Sequence, residues 1–441
     1  MRTAGRSWGN YPLVKQRIVP LLSRSAQLPQ VEGSLLTQGN ARSYGDSCLN
    51  PGNTILTGRS LDHMISFDRS SGIIRCEAGV TLSEIIELAL PLGWFLPVTP
   101  GTRFVTVGGA IANDVHGKNH HRAGSFGNHI LALELLRSDG SRQTLTPIDR
   151  SGLFAATVGG LGLTGMITWA EIQLRQVPGP WMEAESIRFD TLDEFFLLSK
   201  ASSETYEYTV AWIDCLASGK RAGRGHFIRA DHATGPGLSS TPGSAQKISI
   251  PVTPPISLVN RITLRPFNTA YYWRQLSRSK RSFAHYQSYF YPLDGIAHWN
   301  RMYGPRGFLQ YQCVLPPDQA HNAVSELLAE ISRAGLGSFL AVLKEFGNIP
   351  AIGMLSFPRP GATLALDFPN TGPDVFRLLD RLDSIVTIAG GTLYPAKDAR
   401  MPPALFASGY EKHLTDFAAH IDPRFSSGFW RRVMEQSCKE F

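Results

Sequence analysis

The densest group of residues able to do chemistry lies in residues 97–130, PVTPGTRFVTVGGAIANDVHGKNHHRAGSFGNHI. A Thr-Pro-Gly turn and the pair Gly108-Gly109 precede the cluster His116-Gly117-Lys118-Asn119-His120-His121. Glycines without side chains let backbone approach a ligand closely, and a short helix over 110–115 would aim its first N–H groups at that ligand. A pyrophosphate suits such a floor. The imidazoles and the lysine beyond it supply donors and titratable groups able to orient a hydroxyl, take its proton or hold an anion. His116 and Lys118 are the candidates, and His120 and His121 read as structural. Only Asp114 is a nearby carboxylate, so a metal site is not expected.

The elements around this stretch read as α+β. A short helix over 13–19 ends at Pro20 and a strand covers 31–36. The small-residue loop 37–46 (TQGNARSYGD) follows, then hairpin strands at 65–68 and 72–79. Residues 81–90 have helical apolar spacing with Thr81 as N-cap and Glu84 three residues on, a capping box. Strands at 129–136 and 141–145 flank the Asp139-Gly140 turn. Gly160-x-Gly162-x-x-Gly165 matches a dinucleotide fingerprint as a pattern, but such a loop must open a helix. Residues 166–174 (MITWAEIQL) are instead β-rich, so we read a glycine loop entering a strand against a cofactor.

Beyond residue 178 the composition changes. Antiparallel strands are expected at 185–189, 208–213 and 225–228, with a helix at 191–199. Residues 231–257 are rich in Gly, Ser and Pro and read as a surface loop, a lid or a docking surface. In the strand 308–315, Gln310 and Gln312 share a face with Phe308, which faces either solvent or a polar pocket. Helices at 318–334 and 374–389 bracket strands at 338–344 and 362–368 and would cap one face of a sheet.

Bulk properties bound the partners. The 441 residues, 43% hydrophobic and 18% charged, suit a folded protein of two or three units rather than a disordered chain. Five scattered cysteines without a C-x-x-C pair argue against a disulfide framework or zinc. Net charge +7 points to an anionic partner. No RNP-like, C₂H₂ or compact helix-turn-helix signature of nucleic-acid binding is present, and a phosphorylated substrate or an anionic membrane surface fits the charge equally well; charge alone does not choose. The start lacks an apolar leader segment and no run is long enough to span a bilayer, so a cytoplasmic chain is expected.

Six ordered motifs then carry a resemblance over nearly the whole chain. They are Ala41-Arg-Ser-Tyr-Gly-Asp46, residues 99–129, Thr157-Val-Gly-Gly-Leu-Gly-Leu-Thr-Gly165, residues 299–312 (WNRMYGPRGFLQYQ), Val342-Leu-Lys-Glu-Phe-Gly347, and Tyr394-x-Ala-Lys-Asp-x-Arg400. The chain resembles the FAD-dependent oxidative subunits of decaprenylphosphoryl-β-D-ribose 2-epimerase, flavoproteins of the vanillyl-alcohol-oxidase type.

The resemblance implies an α+β, two-domain fold. A split PCMH-type FAD-binding domain (1–180, with 392–441 returning to it) would accompany a substrate domain on an antiparallel sheet (181–391). FAD would contact Thr37, Gly39, Asn40, Ala41, Arg42, Ser43, Tyr44, Gly45, Asp46 and Ser47. Further contacts would come from Gly101, Thr106, Val107, Gly108, Gly109, Asn113, Asp114, Val115, His116, Ile167 and Tyr394. Many relatives bond flavin covalently through a histidine in the loop matching 40–43. Arg42 stands there, so non-covalent FAD is expected.

The implied reaction oxidises the 2-hydroxyl of a polyprenylphosphoryl-β-D-ribose to the 2-keto sugar. That is the first half of an epimerisation to the D-arabinofuranose donor of cell-envelope or other glycans. A separate nicotinamide-dependent short-chain reductase would complete it, and the enzyme would sit peripherally on the inner membrane. Lys397, His116 and Tyr44 are the catalytic candidates, with the base left open between Lys397 and His116. Lys118, Gln310, Gln312, Lys344 and Ala365 would line the substrate site. Ala365 stands where the best-known members carry cysteine, which leaves the chemistry but alters the pocket. The alternatives are an alditol or aldonolactone oxidase, and a non-catalytic flavin- or lipid-phosphate-binding protein.

Overall fold

Alternation of apolar and polar residues lays down most of the strands, and capping fixes several helices. In the computed structural model, which describes residues 2–234 and 248–434, Thr81 caps the helix Leu82–Ala89. Its side chain accepts from the Glu84 amide while the Glu84 carboxylate accepts from the Thr81 N–H at 2.6 Å, the expected capping box. The hairpin Met64–Asp68/Ile73–Glu77 and the pair Ile130–Leu136/Arg142–Leu145 form as read. Both join Met166–Gln173 in a five-stranded antiparallel sheet. The glycine loop 159–165 therefore does enter a strand.

Three expectations fail or shift locally. Residues 13–19 are not helical: Val14–Pro20 is a strand, antiparallel to Arg2–Gly5 and parallel to Thr54–Thr57. The spacing of Val14 and Ile18 imitates a helix. The buried contact is instead Gln16, whose side-chain oxygen accepts from the Asn50 N–H at 3.0 Å. The short helix also begins earlier than expected, at Val107–Ala112. Thr106 is its N-cap and accepts from Gly109, so both glycines lie inside the first turn. The strand of 31–36 runs at Leu35–Gln38.

The third sheet has eight antiparallel strands in the order Ser279–His285, Trp181–Phe189, Gly225–Ala233, Tyr208–Ile213, Ala341–Phe346, Gly361–Pro369, Phe308–Leu315 and Thr392–Leu393. The helices Leu192–Ser202, Ala320–Ala334 and Pro373–Ile388 supply apolar faces to a core containing Ala211, Tyr311, Cys313, Leu343, Leu364 and Leu366 from that sheet. Because side chains alternate across a strand, the neighbours of these residues face the other way, toward the rest of the chain. Residues 235–247, about half of the loop 231–257, lie outside the described residues. Its ends are the close of Gly225–Ala233 and a two-residue strand, Ile248–Ser249, parallel to Ile296–Ala297.

The C-terminal segment is tied back by charge. Arg432, on the helix Gly428–Met434, donates to both oxygens of Asp46 at 2.9 Å and to Asp398 at 2.8 Å. It joins the 37–48 loop to the loop that follows Thr392–Leu393. Removing one partner of a buried charge group leaves the others uncompensated, at a cost of roughly 3–5 kcal/mol. Arg432→Met is accordingly expected to lower stability by about 3 kcal/mol in urea unfolding, with Arg432→Lys intermediate.

Candidate active site

A cavity of about 640 Å³ separates the eight-stranded sheet from the glycine loops. Its roof is one face of that sheet, read at every second residue: Ala184 and Ser186, Val210 and Trp212, Ser282 and Ala284, Gln310 and Gln312, Val342 and Lys344, Thr363 and Ala365. The two glutamines therefore face a polar pocket and not solvent. Its floor is loop and helix-start backbone, contributed by Thr37, Gly39, Asn40, Ala41, Arg42, Ser43, Tyr44, Ser47, Gly101, Thr106, Gly108, Gly109, Asn113, Val115, His116 and Ile167. Tyr394 and Lys397 enter from the returning C-terminal segment, and Lys118 closes one side.

Four expected cofactor residues do not line the cavity, each for a visible reason. The Asp46 carboxylate is turned to Arg432. Asp114 is fully buried and accepts from Ser125 Oγ and the Gly127 N–H at 2.8 Å and from Ser356 Oγ at 2.5 Å, which pins the loop. Val107 is core. Gly45 packs so closely on the next loop that a Cβ there would stand 1.7 Å from the Asp398 carbonyl oxygen.

Three lysines converge on this space. Lys118 Nζ donates to the Tyr289 carbonyl and lies 4.3 Å from the centre of the Tyr289 ring. Lys344 Nζ donates to the Gly117 carbonyl at 2.8 Å. Lys397 Nζ sits 3.9 Å over the Tyr44 ring. Burial pulls Lys118 down to about 7; burial, then Lys118 and Lys397, pull Lys344 to about 7. Burial also lowers Lys397, against the opposing pull of Asp367. Asp367, 1% exposed, is raised by burial and accepts from Gln310 Nε2 at 2.7 Å.

His116 is held by Gln312, whose amide donates to its Nε2 at 3.0 Å, leaving the proton on Nδ1. Burial, with Lys344, His120 and Lys397 nearby, depresses its pKa well below the usual value, so the imidazole is neutral. His120 packs its ring 4.5 Å from that of Phe346 and is pushed down to about 3, mainly by burial. His121 meets the Tyr206 carbonyl at 3.0 Å. Among the described residues no three His, Cys, Asp or Glu side chains gather as metal ligands would.

Sequence reasoning passed over Asp367 and Trp8. Asp367 lies two residues from Ala365 and so on the same strand face, and it pairs in register with Gln310; period-two counting from Ala365 would have found it. Trp8 holds the Arg42 guanidinium at 4.1 Å from its ring, and nothing in its own neighbourhood of the sequence signals that contact.

The arrangement fits FAD. Ser47 Oγ is buried, lines the cavity and has no hydrogen-bond partner among the described residues, and it stands among threonine, serine and asparagine donors beside glycine backbone. That donor set suits a diphosphate and polyol. Comparison with known proteins agrees. Residues 28–146 match the FAD binding domain family. The chain is 37% identical over 437 residues to the decaprenylphosphoryl-β-D-ribose oxidase of Mycolicibacterium smegmatis, covering 94% of this chain and 92% of that protein. It is 35% identical over 371 residues to an uncharacterized protein of Streptomyces coelicolor, covering 80% of this chain and all of that one. Similarity to the human Δ(24)-sterol reductase, 34% over 115 residues, is confined to 26% of this chain and 22% of the reductase.

The lysines make stability depend on pH. Their folded pKa values lie below the ordinary 10.5, so between about 7 and 10 the unfolded chain binds more protons and stability rises with pH. From pH 7 to 9 the gain is about 2 kcal/mol for each of Lys118 and Lys344. Thermal unfolding of the cofactor-free protein should show it, and Lys118→Met with Lys344→Met should flatten the curve.

Proposed function

The chain belongs to the decaprenylphosphoryl-β-D-ribose oxidase family, and from that membership we propose that it oxidises the 2-hydroxyl of a polyprenylphosphoryl-β-D-ribose to the 2-keto sugar. It is an FAD-dependent oxidoreductase acting on a sugar hydroxyl. The observation that carries the reading is the meeting of three buried lysines and two sheet-borne glutamines over a glycine-lined floor. In this reading residues 1–180 and 392–441 hold the cofactor and 181–391 the substrate. The polyprenyl chain places the enzyme peripherally at a membrane, the inner membrane on its cytoplasmic side. A separate nicotinamide-dependent reductase consumes the ketone on the way to the arabinofuranose donor. No helix among the described residues is long and apolar enough to cross a membrane.

When bound, FAD supplies the two-electron acceptor that takes hydride from the carbon bearing the hydroxyl. The residues of this chain do the rest. Lys118 and Lys344 receive the substrate phosphate, whose charge restores the protonated form that burial disfavours. Gln310 and Gln312 present amides to the ring hydroxyls. Lys397 takes the proton leaving the 2-hydroxyl.

His116 is the weaker base. Gln312 already occupies its lone pair, and burial with two lysines opposes its charged form. Lys397 has Asp367 to steady its cation and a pKa brought down by burial toward the working range. Arg42 takes no part in a covalent bond to flavin; stacked on Trp8, it supports non-covalent FAD.

Anaerobic mixing with a short-chain polyprenylphosphoryl-β-D-ribofuranose should bleach the oxidised-flavin band and yield a 2-keto product by mass spectrometry. Flavin that stays oxidised with this substrate but bleaches with a free alditol would replace the reading with an alditol oxidase. Flavin that no sugar reduces would leave a non-catalytic binder. Lys397→Met should slow bleaching by roughly 10²–10⁴-fold while retaining flavin. The kcat/KM profile should be bell-shaped, rising as Lys397 deprotonates and falling once Lys118 and Lys344 lose their protons above about 7. Acid precipitation should release all the flavin to the supernatant.

A further inference from the structure

Large apolar side chains are unevenly distributed over the surface. Of the seventeen that are exposed among the described residues, eight fall within residues 248–276. Ile262 is 85% exposed, Leu276 80%, Ile256 72% and Val252 69%. The helix Arg261–Trp273 accounts for part of this. Its buried side carries Leu264, Asn268 and Tyr272. Ile262, Pro266 and Trp273 fall together on the opposite side at helical spacing, all exposed. Such a face is unfavourable in water and marks a contact surface.

The charge of this surface is one-sided. Between Asp231 and Asp294 the sequence has no aspartate or glutamate. Arg261, Arg265 and Arg274 are exposed on or beside the helix. Among the described residues, the ion pairs with carboxylates of neighbouring elements form at the next cations along the chain. Arg278 meets Glu194 and Asp190, and Arg281 meets Glu185. The surface also adjoins the mouth of the cavity: Tyr271 and Arg274 line it from the helix. Residues 248–250 pair with Ile296–Ala297, between the lining residues Leu293 and Trp299.

We propose that residues 248–276 form the face by which this enzyme docks on an anionic lipid bilayer, with the cavity mouth held at the membrane surface. The proposal rests on the polyprenyl-phosphate reading given above. Apolar side chains enter the headgroup boundary while the arginines meet lipid phosphates, the combination that binds interfacial helices to anionic membranes. A second copy of the chain is the poorer occupant. Two-fold pairing sets the same patch against itself and so brings like charges together. A bilayer also presents the substrate, whose prenyl chain can pass from lipid to cavity beside Tyr271 without crossing water.

The test is flotation of the FAD-loaded full chain with vesicles of phosphatidylcholine, with and without phosphatidylglycerol. The wild type should float only with the anionic vesicles, and added salt should weaken binding. The double variant Ile256→Asp/Ile262→Asp, at two positions that do not line the cavity, should bind at least tenfold less. Its flavin should still be reduced at the wild-type rate by a water-soluble short-chain substrate without vesicles, which also shows that it folds. Wild type that does not float, or a double variant that floats as well as wild type, would overturn the proposal. So would a dimer in sedimentation velocity that the two substitutions dissolve without any vesicle binding. Loss of flavin reduction in both proteins, with vesicle binding intact in the wild type, would instead strike at the substrate reading and leave the docking face standing.

Discussion

Three lysine side chains buried around one space, with the Asp367 carboxylate set against Lys397 alone, are the constraint on which the site depends. Burying a cation without a partner is costly, and a protein normally avoids it by pairing or by giving up the proton. Here Lys118 and Lys344 lean on backbone carbonyls, of Tyr289 and Gly117, which hold an ammonium but do not neutralise it. The charge balance is therefore left for a ligand to complete. A phosphate does so; a neutral sugar does not. That asymmetry is a physical reason to prefer a phosphorylated substrate over a free alditol, and it is independent of any likeness to other proteins.

Positioning those groups requires the sheet and the returning C-terminal segment to agree. Gln310, Gln312, Lys344, Thr363 and Ala365 share one face because the strands Phe308–Leu315, Gly361–Pro369 and Ala341–Phe346 pair in a register that sets Gln312 opposite Ala365 and Lys344 opposite Thr363. A one-residue slip would exchange this face for Cys313 and Leu364. Lys397 reaches the same space from outside the sheet. The Tyr44 N–H donates to the Ala396 carbonyl at 2.9 Å, and Arg432 bridges Asp46 to Asp398, so its loop is clamped to the floor at two points.

Much of this was legible in the sequence. Period-two alternation gave the strands and the shared face of Gln310 and Gln312, and the Thr81/Glu84 spacing gave a helix start. The context test rightly refused a helix after the Gly160–Gly165 loop. What alternation alone left open was whether that glutamine face met water or a pocket, because this depends on which element packs above it. Val14–Pro20 was misread for a related reason: its partners on both sides, Arg2–Gly5 and a parallel neighbour 34 or more residues away, decide its conformation, and the spacing within the segment carries no trace of them. Asp46 and Asp114 sat in the right loops, but loop membership does not say which way a carboxylate points. Both turned to structural partners, Arg432 and the Ser125/Gly127/Ser356 donors.

Ala365 shows how far one wall residue can vary without disturbing the rest. It sits between Gln312 and Val342 on the roof, where a methyl group accepts no hydrogen bond and carries no charge. The thiol that lines the cavity elsewhere, Cys48, is pushed up to about 12, chiefly by burial. No thiolate is thus present there at neutral pH. Hydride removal from a carbinol and uptake of its proton by Lys397 call for no nucleophilic sulfur. An alanine there leaves every group of the proposed proton path untouched and changes only the width of the pocket beside Gln312. Substrate fit, and not reaction type, is what this position can tune.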